Sequence, residues 1–137
     1  MKPIRALLRP SAKPSARPVA REHREQVALV RWLNAHGVCF CHVPNGGKRS
    51  ITEAVRLKAS GVKAGVPDIL IFSEVPNAPY LRGVAIELKA PKTTQKAAGR
   101  ISPEQELWAI ELGKNGWAVK IAYGFTEAVG YLLNLGF

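Results

Sequence analysis

The fold turns on the stretch from Gly65 to Pro91, GVPDILIFSEVPNAPYLRGVAIELKAP. Ile69 to Phe72 is a short unbroken apolar run, rich in β-branched and aromatic residues, the pattern of a buried strand. Val84 to Ala90 alternates instead, with Val84, Ile86 and Leu88 on one face and Ala85, Glu87 and Lys89 on the other. Between the runs, Val75 to Arg82 carries Pro76, Asn77 and Pro79, residues that turn the chain. An antiparallel pair folded about Ala78 sets Asp68 level with about Leu88, beside Glu87 and Lys89. Two carboxylates and an ammonium then meet at one end of a small sheet, a grouping suited to a metal-dependent reaction centre.

The flanking chain supplies the rest of the sheet and its cover. Downstream, Ser102-Pro103-Glu104-Gln105 is a capping box with proline at the first helical position, and Asn115-Gly116 ends that helix near Lys114. Trp117 to Tyr123 reads as a strand, with Val119 and Ile121 alternating against Lys120. Phe125 to Leu135 closes the chain as a helix, with Thr126 as the expected N-cap. Upstream, Ser50-Ile51-Thr52-Glu53 opens a helix through Ser60 that Gly61 caps, with Val55 and Leu57 facing inward and Arg56 and Lys58 outward. Val38 to Val43 reads as a strand. Arg21 to Ala35 reads as a helix with Val27, Val30, Trp32 and Leu33 near helical spacing, ended by Gly37. The order is α-β-α-β-β-α-β-α, an α/β fold with a small mixed sheet flanked by helices.

Residues 1–20 stand apart, with five basic residues, no acid and four prolines. Proline blocks a regular helix and the like charges repel, so this stretch reads as an extended basic tail, and residues 21–137 as the domain. The tail fits an arm lying non-specifically on nucleic acid and fits a solubilising extension equally well.

A formal net charge of +10 over 137 residues favours polyanions, phosphate backbones first among them. No apolar run approaches the ~18 residues of a membrane span, so no membrane partner is expected. Cys39 and Cys41 sit two apart on one strand face with diverging side chains, which disfavours a mutual disulfide. With His36 and His42 they invite a zinc reading, but no second ligand pair follows at finger-like spacing. Small buried thiols in a reducing, cytoplasmic setting are the expectation.

Four blocks in order carry a resemblance: Val43-Pro44-Asn45-Gly46-Gly47-Lys48-Arg49, Gly61-Val62-Lys63-Ala64-Gly65-Val66-Pro67-Asp68, Ile86-Glu87-Leu88-Lys89, and Gln105. Pro67-Asp68 followed by Glu87-x-Lys89 resembles the PD-(D/E)XK nuclease superfamily, and the joint spacing resembles its stand-alone VRR-NUC domains of phage and bacterial type. The Fanconi-associated nuclease ends in the same domain. The resemblance spans roughly residues 21–135. It implies a restriction-endonuclease-like core, a Mg²⁺ or Mn²⁺ cofactor, and the cytoplasm of a bacterial or phage-infected cell.

The resemblance also implies roles. Asp68, Glu87 and the Leu88 carbonyl would hold the metal, and Lys89 would orient or deprotonate the attacking water. Gln105 would lie near that water, although the capping box explains it fully in structural terms. Glu22, four residues before Gln26, would reach toward the metal from the first helix; Glu25 competes for that role, and a solvated first-turn acid is the plain alternative. Asn45 would lie at the rim, with Lys48, Arg49, Lys63, Lys92, Lys96 and Arg100 as DNA contacts, although solvated loops would show the same bias. The implied activity is a DNA endonuclease acting on branched, flapped or four-way junction DNA. A homodimer is expected, since resolving a symmetric junction takes two cuts. A non-catalytic DNA-binding module for recombination or packaging is the competing reading, and a site-specific restriction enzyme a more distant one.

Overall fold

The computed structural model describes residues 18–45 and 48–137; residues 1–17, Gly46 and Gly47 lie outside the described residues, and with them most of the expected tail and the two glycines of the Pro44–Arg49 turn. The elements are α1 (Pro18–Ala35), β1 (Phe40–His42), α2 (Ile51–Ala59), β2 (Ile69–Ile71), β3 (Gly83–Lys89), α3 (Pro103–Lys114), β4 (Trp117–Tyr123) and α4 (Phe125–Asn134). This is the expected order. The first helix starts at Pro18 instead of Arg21, because proline suits an opening helical turn, where its missing N–H has no partner to lose.

The four strands lie in the order β1-β2-β3-β4. β1 and β2 pair antiparallel, as do β2 and β3, and α3 crosses over so that β4 runs parallel to β3. β3 is therefore a central strand, and all seven of its residues are buried. Val84 and Ile86 join Ile69 and Ile71 from β2 and Leu29, Leu33, Ala128 and Leu132 from α1 and α4 in the core. Leu29 and Leu33 are four apart, which stacks them on one helix face. Fully burying a side chain of this size is worth roughly 1.5–3 kcal/mol.

The segment between β2 and β3 is more than a turn, because Val75 and Ala78 within it are buried in the same core. Ile69 stands opposite Ile86, so continuing the pairing by one residue sets Asp68 opposite Glu87, not Leu88. The symmetry point falls between residues, where a fold about Ala78 assumed it on one.

Three local expectations fail for identifiable reasons. Gly124, with φ of +99°, is the N-cap of α4 in place of Thr126, and having no side chain it supplies no side-chain cap. The Glu25 carboxylate of α1 instead accepts from the Phe125 N–H, replacing the missing cap from across the interface. Val55 is 64% exposed, since α2 buries none of its residues. Cys39 and Cys41 are exposed and unpaired because β1 is an edge strand. Among the described residues no helix is long and apolar enough to cross a membrane.

Candidate active site

Asp68 enters the site just before β2 and is held from three directions. Its backbone carbonyl accepts from Val43 N–H and from His42 Nδ1, each at 2.8 Å. Asn45 Nδ2 donates to the Val66 carbonyl, so Asn45 ties down the arm that carries Asp68. The Asp68 carboxylate accepts from Leu88 N–H at 2.8 Å, directly beside Glu87.

Glu87 and Lys89 project from β3 on the face away from the core, yet only 4% and 7% of them is exposed. Lys89 Nζ lies 3.1 Å from Glu87 Oε1. Gln105 joins the two: its Nε2 donates to Glu87 Oε1 at 2.6 Å and its Oε1 accepts from Lys89 Nζ at 2.9 Å. The same Oε1 accepts from Ser102 N–H, while Ser102 Oγ accepts from Gln105 N–H. The capping box and the site contact are thus one arrangement, and the structural and functional readings of Gln105 coincide.

Two glycines make this convergence possible. Gly65, with φ of +85°, runs so close to the start of α3 that a Cβ there would sit 2.5 Å from the Glu104 carbonyl carbon and 2.7 Å from Gln105 N. The Asp68 arm and the helix bearing Gln105 are therefore in backbone contact. Gly99 folds the 91–101 loop back over the site, donating its N–H to the Ala90 carbonyl. A Cβ on Gly99 would meet Glu22 Oε1 at 3.2 Å and Lys89 Cβ at 3.3 Å.

Glu22 completes the cluster from α1, with Oε1 3.4 Å from Ala90 N. Its charge acts on both Asp68 and Glu87, whereas Glu25, the competing residue, is committed to α4. Burial, joined by the Asp68 carboxylate and opposed by Lys89, pushes the Glu87 carboxyl up from 4.5 to about 7. Burial also raises Asp68, opposed by the Leu88 hydrogen bond and by the charges of Lys89 and His42. Glu87 Oε2 is buried with no hydrogen-bond partner. An acceptor left this way is costly, and a cation on the side away from Lys89 would satisfy it. The donor set fits a hard divalent ion: two carboxylates and a backbone carbonyl leave positions for water, as Mg²⁺ prefers. Among the described residues no group of three or more His, Cys, Asp or Glu side chains is arranged to hold a metal ion, Asp68, Glu87 and Glu22 included.

The basic residues fall into separate groups. Asn45, Arg49 and Lys63 line one groove beside α2 and α3. Lys96 lines another, with Arg21 and Arg24 of α1 and Pro91 of the loop. Lys48, Lys92 and Arg100 are exposed. Sequence reasoning passed over His42, Arg21 and Gly99. His42 was visible only as a zinc-cluster candidate, and Arg21, whose guanidinium donates to the Pro91 carbonyl, carried no motif signal.

A sheet of this order with carboxylates, lysine and glutamine at the β2–β3 end is the frame of a nuclease-type domain. The VRR-NUC domain model matches residues 20–126, and the chain belongs to that family, a family of nuclease type whose substrate is DNA. A solved structure described as a VRR_NUC domain protein is similar in fold, with a TM-score of 0.65 and 22% identity over 84% of this chain and 87% of that one. No curated protein matches the chain.

Proposed function

We propose that the protein is a divalent-metal-dependent DNA endonuclease of the PD-(D/E)XK kind, acting on branched, flapped or four-way junction DNA as a homodimer. The observation that carries this reading is the Asp68–Glu87–Lys89–Gln105 cluster, with Glu87 and Lys89 buried, Asp68 and Gln105 half-buried, and one Glu87 oxygen unpartnered. Asp68 and Glu87, with the Leu88 carbonyl and Glu22 nearby, are the groups to hold Mg²⁺ or Mn²⁺. When bound, such an ion supplies Lewis-acid activation of water and charge neutralisation at the phosphate.

The chain's own residues do the rest. As an ammonium, Lys89 presents a positive charge where negative charge grows on the phosphoryl oxygens and can orient the attacking water; only as the neutral amine could it take that water's proton. Gln105 holds Lys89 and Glu87 at fixed separation, so little reorganisation is needed as the transition state forms. Water oxygen bonds to phosphorus and releases a proton to solvent, the bond to the leaving sugar oxygen breaks, and that oxygen takes a proton from solvent; no covalent enzyme intermediate is required. His42 and Asn45 keep the Asp68 arm in place from β1 and the turn after it.

A panel of duplex, nicked, flapped and four-way DNA, incubated with Mg²⁺, with Mn²⁺ and with EDTA, tests the reading. Metal-dependent cuts that favour the branched substrates are expected. Binding without cutting on every substrate would leave a DNA-binding module.

A further inference from the structure

Between α2 and α3 lies an open groove of about 650 Å³ that the cleavage chemistry does not use. Its floor is apolar, formed by Leu57 of α2, Val62 of the following linker, and Leu107 and Trp108 of α3. Leu107 is 63% exposed, leaving much of an apolar side chain in water. The rim is cationic: Arg49, Lys58 and Lys63 stand around the floor, with Glu104 the single acid lining it.

The groove joins the active-site cluster at two points. Asn45, at one end, hydrogen-bonds the Val66 carbonyl two residues before Asp68. Glu104, along the α3 wall, immediately precedes Gln105, which touches both Glu87 and Lys89. A strand whose phosphate reaches the carboxylates therefore has its neighbouring nucleotides beside this groove.

We propose that the groove is a subsite for unpaired nucleotides of the DNA substrate, with bases lying on Trp108 and Leu107 and phosphates paired with Arg49, Lys58 and Lys63. An apolar, aromatic floor under a basic rim is the chemistry that single-stranded nucleic acid needs, because every base has a stacking face and every phosphate a charge. A second copy of this chain suits the groove less well, since its own rim is positive. The proposal rests on the nuclease reading and names what it selects: strands with unpaired bases next to the scissile phosphate, as at flaps and junctions.

The test uses the full chain in EDTA, with a short oligothymidylate and a blunt duplex as probes, and tryptophan fluorescence or anisotropy as readout. Trp108→Ala should weaken oligothymidylate roughly tenfold and the duplex by less than about twofold. Trp108→Phe keeps a stacking face and should restore most of the affinity. Lys63→Ala should weaken both probes and lower the salt dependence of binding. Leu107→Ser, at an exposed position, gives a second reading should Trp108→Ala melt early.

Unchanged oligothymidylate affinity in the folded Trp108 and Leu107 variants overturns the subsite. So does a shift from dimer to monomer in those variants with affinity for the probe retained. Either result leaves the nuclease reading standing, because that reading depends on metal-dependent cutting, which these binding assays do not measure.

Discussion

At the scale of residues, the site depends on close approaches as much as on charged groups. Gly65 and Gly61 both hold positive φ, but a Cβ on Gly61 meets nothing within 4 Å while one on Gly65 strikes the α3 backbone. Gly61→Ala should therefore cost only the backbone strain, about 1–2 kcal/mol, and keep its cleavage rate. Gly65→Ala should add a displacement of the Asp68 arm from Gln105 and lower kcat by on the order of 10²-fold with DNA affinity kept. Stopped-time cleavage beside anisotropy binding separates the two variants. Glu87 makes a second prediction. Its folded-state carboxyl titrates near 7 and its ordinary value is 4.5, so between those values the folded protein holds the extra proton. Stability from this group is complete below about 4.5 and is lost as pH rises through about 7. Thermal melts of metal-free protein should thus show Glu87→Gln gaining on the parent as pH rises from 5 to 8. Mg²⁺, binding the ionised form, should raise the parent's Tm more at pH 8 than at pH 5. Equal Mg²⁺ shifts at both values would count against a metal on this pair.

At the scale of elements, what could be read from the chain was local and what could not was tertiary. The Ser102 capping box, the Gly37 and Gly61 helix ends and the alternation of Val84, Ile86 and Leu88 are written in adjacent residues, and the structure carries them. The start of α4 is not: its first N–H is satisfied by Glu25, a hundred residues earlier, which no window near Thr126 reveals. Glu25→Ala should cost roughly 0.5–2 kcal/mol of stability by chemical denaturation, with the cleavage rate per folded molecule unchanged. A similar limit applies to the site. Asp68, Glu87 and Lys89 were legible as a motif, but Gln105 looked like a cap because it is one, and its second set of contacts exists only once α3 lies against β3. The exposure of Val55 was equally hidden, since the sequence of α2 gives no sign that none of its residues is buried.

At the scale of the whole molecule, a charge of +10 and an apolar core on one sheet face divide the labour. The core positions β3, and on the proposed function the basic surface collects DNA. Affinity for duplex should therefore fall steeply with added salt, while the rate at saturating DNA changes little, because the buried cluster is screened far less than the surface. Filter binding across a salt series checks this. On the proposed function, Lys89, held by Glu87 and Gln105, acts on the scissile phosphate and not in holding DNA. The most direct measurement is single-turnover cleavage of a flapped or four-way substrate by Lys89→Ala in saturating Mn²⁺, with binding measured on the same preparation. Binding should stay intact while cutting falls at least about 10²-fold; cutting at the parental rate by the folded variant would rule out this role for Lys89.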